Sequence, residues 1–189
     1  ETGANTGGMG AYSPSFLVSD DLKKIVMDKI IDTTLRAMED NGSPFIGFLF
    51  AGLILTPNGP KLLEFNARLG DPETQVLLPR LKSNLISLII KACDGNLEDS
   101  KIEFENKVAV CVVIAAKGYP ENYQKDSEIK NLETAKSANV IIFHAGTKKE
   151  QGKILANGGR VLGITALSND VKQARIDAYK AVKLIDWQE

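Results

Sequence analysis

Two apolar runs flanking a proline- and glycine-bearing turn constrain this chain more than any other feature. FIGFLFAGLIL (residues 45–55) leads through TPNGP into KLLEFN (residues 61–66). Such a turn between apolar runs predicts an antiparallel hairpin. The first run is apolar on both faces, which suits a strand central to its sheet. The second run differs, because Glu64, Asn66 and Arg68 stand two residues apart. Side chains two apart on an extended chain share a face. A carboxylate, an amide and a guanidinium therefore line up together.

The rest of the chain sorts by punctuation and period. Residues 1–18 are glycine-rich without periodicity and read as a loop. Ser19 before Asp20 and Asp21 predicts a helix start. Met27, Ile31, Leu35 and Met38 supply its apolar face, and Gly42 fits its stop. Asp71-Pro72-Glu73 reads as another helix start, with Asp71 as N-cap and Pro72 in the first helical position. Pro79 interrupts that helix, and another starts from Ser83. Residues 95–106 are polar and acidic, the best linker candidate, and beyond them the texture turns β-rich. KVAVCVVIAAKG, VIIFHAGT, GKILAN and RVLGITAL read as strands. A last helix buries Val171, Ala174, Ala178, Val182 and Ile185. The expectation is an α+β chain of two units, residues 1–100 and 101–189.

Composition excludes several classes. A net charge of −1 gives no basic surplus for nucleic acid. No apolar run is long enough to span a bilayer, and the N-terminus has no signal-peptide pattern. Cys93 and Cys111 lie far apart in apolar periodic segments, as reduced packing thiols of a cytoplasmic protein would. The first residues, ETGANTGG, lack an initiator Met and begin in mid-motif, as in a chain cut from something longer.

The row of Glu64, Asn66 and Arg68 fits two readings on its own. One is a merely solvated strand face. The other is a divalent-cation site, with Glu64 and Asn66 as hard oxygen ligands and Arg68 clamping an anion beside them. Two neighbours sharpen the second reading. RLGDPETQ (residues 68–75) places Gly70 at a sharp turn before Asp71, Pro72 and Glu73, where backbone N–H groups open towards an anion. NTGGMGAYSP (residues 5–14) brings Gly7, Gly8 and Gly10 into a loop whose backbone can approach a ligand. It lacks the Gly-Lys-Ser/Thr of a Walker loop and the spacing of a dinucleotide fingerprint. His144, the only histidine, and Arg160, after Gly158-Gly159, read as structural residues, the arginine anchoring its own turn.

In chain order the motifs are NTGGMGAYSP, EFNARLGDPETQ, KGYP, FHAGT and GGRVLGITA. In that combination the chain resembles the glycinamide ribonucleotide synthetase family of the ATP-grasp superfamily. The resemblance runs over essentially all 189 residues and covers only the second half of such enzymes. It implies the C-terminal part of an ATP-grasp domain followed by a small β-rich domain with a packed helix. It also implies a reaction: ATP phosphorylates glycine, and 5-phosphoribosylamine attacks the glycyl phosphate, giving glycinamide ribonucleotide, ADP and phosphate. By similarity Glu64 and Asn66 would hold Mg2+ or Mn2+, and Arg68 would stabilise the transferring phosphoryl or acyl phosphate. Asn5, Thr6, Gly7, Gly8 and Gly10, with Gly70, Asp71, Pro72 and Glu73, would line the glycine and ribosylamine pockets. The family's missing N-terminal half carries the rest of the ATP clamp, so this chain is expected to be inactive alone. One departure stands out: the strand before Glu-x-Asn carries no acid, where many ATP-grasp enzymes place a further metal carboxylate. Another ATP-grasp ligase or carboxylase, or a non-catalytic binding module, are the competing readings.

Overall fold

The computed structural model describes residues 3–137 and 139–187. The chain begins with strand β1 (Gly10–Ser13), then a helix in three parts: α1 (Asp20–Val26), a π-helical turn (Met27–Ile31) and α2 (Asp32–Asp40). Strands β2 (Phe50–Thr56) and β3 (Gly59–Asn66) come next, then α3 (Thr74–Leu77), a 3-10 turn (Leu78–Arg80) and α4 (Leu85–Cys93). The remainder is β4 (Val108–Ala115), β5 (Glu128–Ile129), α5 (Leu132–Ala135), β6 (Val140–His144), β7 (Thr147–Glu150), β8 (Lys153–Ala156), β9 (Arg160–Ser168) and α6 (Val171–Leu184).

Two compact units emerge, and neither is a continuous stretch. Residues 1–14, 71–81 and 104–189 form unit 1; residues 15–70 and 82–103 form unit 2. The chain crosses between the units at 14/15, 70/71, 81/82 and 103/104. Only the last falls in the acidic segment 95–106.

Unit 1 is built on an antiparallel four-stranded sheet of order β1-β4-β9-β6. The N-terminal segment read as pure loop therefore contributes an edge strand, Gly10 opposite Val112 through Ser13 opposite Ala109. Strand β9 is buried on both faces, and Val161 lies in the same cluster as its neighbour Leu162. Leu162, Ile164 and Ala166 join the cluster that includes Ala178 of α6. On the other face, Ala109 and Cys111 pack with Val76 of α3. Val161, Leu162 and Ile164 are fully buried. Burial of such a side chain stabilises by about 1.5–3 kcal/mol. A smaller sheet, β5-β8-β7, completes the unit.

Helix α6 is capped by Asp170, whose carboxylate accepts from Gln173 N–H at 2.8 Å. Its buried residues are Ala174, Ala178 and Ala181, while Val171 is 41% exposed and Ile185 lies past the helix end. Val182 and Ile185 pack against the same core cluster, so Val171 alone departs from the expected face, and small side chains form its buried centre. Asp71 is not a helix cap either: its carboxylate is taken by Arg160 and Gln75, and α3 begins only at Thr74.

In unit 2 the Ser19 hydroxyl caps α1 by accepting from Leu22 N–H at 3.2 Å, and Gly42 lies beyond α2 with φ of +72°. The π-helical turn between them shifts the register by adding a residue to one turn. Met27 is accordingly 44% exposed rather than on the inner face. Asn84, one residue later than expected, caps α4 by accepting from Ser87 N–H at 2.9 Å. The β2–β3 hairpin forms as expected, with Thr56 opposite Gly59 and a bulge between Gly52 and Leu53. Among the described residues β2 pairs with β3. Among those residues, too, all the buried hydrophobic ones belong to unit 1; Ile54, Leu55 and Leu63 of the hairpin are 48%, 49% and 67% exposed.

This packing has consequences that can be measured. Ala178→Leu forces a larger side chain between α6 and the sheet, so urea denaturation should report a loss of about 1–3 kcal/mol. Cys93 is exposed, correcting its reading as a packing thiol, whereas Cys111 is buried and burial pushes its thiol pKa up. Titration of this chain with a disulfide reagent near pH 8 should label Cys93 at once and Cys111 only after denaturant is added.

Candidate functional site

The sequence-predicted residues divide between the units. Glu64, Asn66, Arg68 and Gly70 lie in unit 2; Asn5, Thr6, Gly7, Gly8, Gly10, Asp71, Pro72 and Glu73 lie in unit 1.

In unit 2 the hairpin orders the acidic row. Strand β3 ends at Asn66, and Arg68 stands on the bend just beyond it. The three side chains nonetheless form one relay. Asn66 Nδ2 donates to Glu64 Oε1 at 3.0 Å, and Arg68 Nη2 donates to Asn66 Oδ1 at 3.2 Å. Arg68 Nη1 donates to Leu69 O at 2.8 Å, which closes the bend. Glu64 is exposed and Asn66 half-buried, so the row faces outward and is open to a ligand. Gly52 stands opposite Glu64 in the register, where an acid would have been needed to make a carboxylate pair.

The donor set suits a hard divalent cation. It offers one carboxylate and one amide oxygen from neighbouring positions on a strand face. Among the described residues no group of three or more His, Cys, Asp or Glu could hold a metal. A cation here would therefore complete its shell with water and with oxygens of a bound anion, as magnesium at phosphate sites does.

In unit 1 two loops far apart in sequence meet on one guanidinium. Arg160 Nη1 donates to Gly8 O at 3.0 Å and to Asp71 O at 2.9 Å. Its Nη2 donates to Asp71 Oδ2 at 2.7 Å, and Gln75 Nε2 donates to Asp71 Oδ1 at 2.9 Å. The Gly7 N–H donates to the Tyr119 hydroxyl at 3.0 Å. Both glycines stand in close approach to their neighbours. A Cβ on Gly7 would come within 2.7 Å of Arg160 Cζ, and one on Gly8 within 2.6 Å of Pro72 Cδ. Pro72 is buried, Glu73 half-buried, and Asn5 and Thr6 are exposed on the loop ahead of the clamp. Gly10 is not part of that loop but the first residue of β1.

Sequence reasoning assigned Arg160 to its own turn and gave Tyr119 no role. Their partners lie 152, 89 and 112 residues away, beyond any local pattern. The only signal was their place in the GGR and KGYP motifs. His144 is exposed at the end of β6, its Nδ1 3.0 Å from Thr147 Oγ1, as a local structural contact.

Known proteins match the chain in two parts. The family described as phosphoribosylglycinamide synthetase, ATP-grasp (A) domain, matches residues 1–74. The phosphoribosylglycinamide synthetase C domain matches residues 109–189. The phosphoribosylamine–glycine ligase of Brucella melitensis is 50% identical over 190 residues, covering 100% of this chain and 44% of the relative. That of Rhodopirellula baltica is 47% identical, again over 100% of this chain and 44% of the relative. The chain thus spans less than half the length of these relatives. A crystal structure of phosphoribosylamine–glycine ligase from Thermotoga maritima superposes with a TM-score of 0.85 at 34% identity, over 98% of this chain and 45% of that one. The expected architecture, α+β with the C-terminal part of an ATP-grasp domain and a small β-rich domain, agrees with that superposition. With domains of one family matched at both ends, and relatives aligned over its whole length, the chain belongs to the phosphoribosylglycinamide synthetase family.

Proposed function

We propose that this chain is the C-terminal portion of an ATP-dependent ligase that joins glycine to 5-phosphoribosylamine through a glycyl phosphate. The products are glycinamide ribonucleotide, ADP and phosphate, a step of purine biosynthesis in the cytoplasm. The observation that carries this reading is the relay of Glu64, Asn66 and Arg68 within a chain of this family. Forming an acyl phosphate requires charge neutralisation at the γ-phosphoryl group and an in-line carboxylate.

In this reading Glu64 and Asn66 would hold Mg2+ or Mn2+, which would supply charge neutralisation at the phosphoryl oxygens. Asn66 Oδ1 accepts from Arg68 with one lone pair and keeps a second for a cation. The remaining guanidinium donors would serve the phosphoryl or acyl-phosphate oxygens. The loop of Asn5, Thr6, Gly7 and Gly8, with Gly10 at the start of β1 and the turn of Gly70, Asp71, Pro72 and Glu73, lines the glycine and ribosylamine pockets. Positioning by these backbones supplies what a general base need not, because the reaction is limited by activation and alignment. The N-terminal half of the complete enzyme completes the ATP clamp and covers the exposed apolar residues of the hairpin, Ile54, Leu55 and Leu63.

The deciding experiment measures ADP release from Mg-ATP with glycine and phosphoribosylamine, each omitted in turn. It is run on this chain and on the chain joined to the N-terminal half. Release is expected only with both halves and both substrates. Bicarbonate-dependent release would instead place the chain with the carboxylases of the superfamily. Glu64→Ala in the complete enzyme should lower turnover by about 100-fold or more, since a ligand of the cation proposed to neutralise the transferring phosphoryl is lost. Because Glu64 is exposed, its melting temperature should stay that of the wild type. Turnover close to normal in that variant would remove Glu64 from the metal role.

A further inference from the structure

The geometry points to Arg160 as the positioning residue of the two substrate loops. Its guanidinium holds the Gly7-Gly8 backbone and the Asp71-Pro72 turn in one arrangement before either substrate arrives. This rests on the proposal that both loops line the glycine and ribosylamine pockets.

The loop from Gly3 to Met9 contains no helix or strand, and its residues are exposed. Its backbone shape must therefore be set by the contacts it makes. Those contacts are the Gly7 N–H to Tyr119, the Gly8 carbonyl to Arg160, and the Met9 carbonyl to Val113 N–H at 3.1 Å, where β1 begins. On the opposite side, Arg160 fixes both the carbonyl and the carboxylate of Asp71. Gln75 takes the second carboxylate oxygen, so Asp71 is held at both of its oxygens. The glycine at position 7 lies against the guanidinium with no room for a side chain.

A planar fork suits this task. Arg160 reaches a carbonyl on one loop and two acceptors on the other from nitrogens in fixed relation. Lysine would bring one rotatable ammonium, which cannot hold both segments in register. The Arg160 side chain is 23% exposed, half the 46% of Asp71, so the pair is partly shielded rather than a free surface contact. Its effect is to order the loop ahead of binding, which lowers the entropic cost that substrate would otherwise meet.

The test uses the complete enzyme with Arg160→Ala, Arg160→Lys, Asp71→Asn, the Arg160→Ala/Asp71→Asn double variant, and Tyr119→Phe. Arg160→Ala should raise KM for glycine and phosphoribosylamine about tenfold or more, with KM for ATP within about twofold of wild type. Amide exchange at Gly7 and Gly8 should accelerate about tenfold or more, while Leu162 and Ile164 in β9 keep their protection. Arg160→Lys should recover only part of the loss. The double variant should be no worse than the weaker single variant, because both substitutions break one arrangement. Additive losses would mean that Arg160 touches substrate directly and would overturn the positioning role. Unchanged exchange at Gly7 and Gly8 would overturn it as well. If Arg160→Ala does not fold, Arg160→Lys, which keeps the charge and loses the fork, is read by the same exchange and KM measurements. Wild-type values in both would overturn the role. Tyr119→Phe reports the separate Gly7 contact. A wild-type enzyme without glycine-dependent ADP release would sink the ligase reading, while the exchange measurement would still decide whether Arg160 holds the loop.

Discussion

The pairing of β1 with β4 is the constraint on which the rest of this structure depends. Gly10 and Val112 stand opposite one another although roughly one hundred residues separate them. Loop-closure cost grows only with the logarithm of length, about 0.6 kcal/mol per doubling, so a long connection is tolerable once a core repays it. Here the repayment is visible on one face of the sheet, where Ala11 packs against the cluster of Val76, Ala109 and Cys111. The pairing draws residues 1–14 out of their sequence neighbourhood and into unit 1. Without it, the glycine-rich loop would have no fixed point from which to reach Arg160.

Two arginines secure that arrangement in different ways. Arg80 is 9% exposed, and burial lowers its pKa from the usual arginine value. Its Nε donates to Lys107 O at 2.6 Å, Nη1 to the Ser13 hydroxyl at 2.6 Å, and Nη2 to Glu105 O at 3.3 Å. The Phe104 ring lies 5.6 Å from its guanidinium carbon. Hydrogen bonds from a charged group contribute about 1.5–3 kcal/mol each, which offsets its desolvation. Its partners are neutral and part of the scaffold, and it pins the end of β1 to the entry of β4. Arg160 has a carboxylate partner and backbone partners on two loops, and it is more open to water. A guanidinium so placed transmits order from the β-rich sheet to the loops. The scaffold arginine and the loop arginine thus act in series, the first fixing the strand and the second fixing the loop ahead of it.

Much of the architecture was legible because its signals are local. The turn of Pro57-Asn58 and the Ser19 cap are both decided within a few residues. β1 was not legible, since Gly-Ala-Tyr-Ser carries no alternation and gains its strand character only from β4. Asp71 was misread for the same reason. Its local sequence is that of a helix cap, and a partner 89 residues away overrides it. The row of Glu64, Asn66 and Arg68 could be read from alternation alone, even though Arg68 sits past the strand end. Tyr119 and Arg160 act through the fold, so spacing could not assign them.

The two units also differ in how firmly they hold what they carry. Unit 1 buries its own apolar core, including Leu162, Ile164 and Ala178 at 0% exposure, and its loops are tied to that core through β9. Unit 2 carries the Glu64 row on a two-stranded hairpin whose Ile54, Leu55 and Leu63 face outward. A lone two-stranded hairpin is marginal in water. Carboxylate and amide ligands must be held within a fraction of an ångström to bind a small divalent cation well. On the proposed reading, the metal row therefore depends on surfaces from the rest of the enzyme, whereas the substrate loops are ordered by this chain itself.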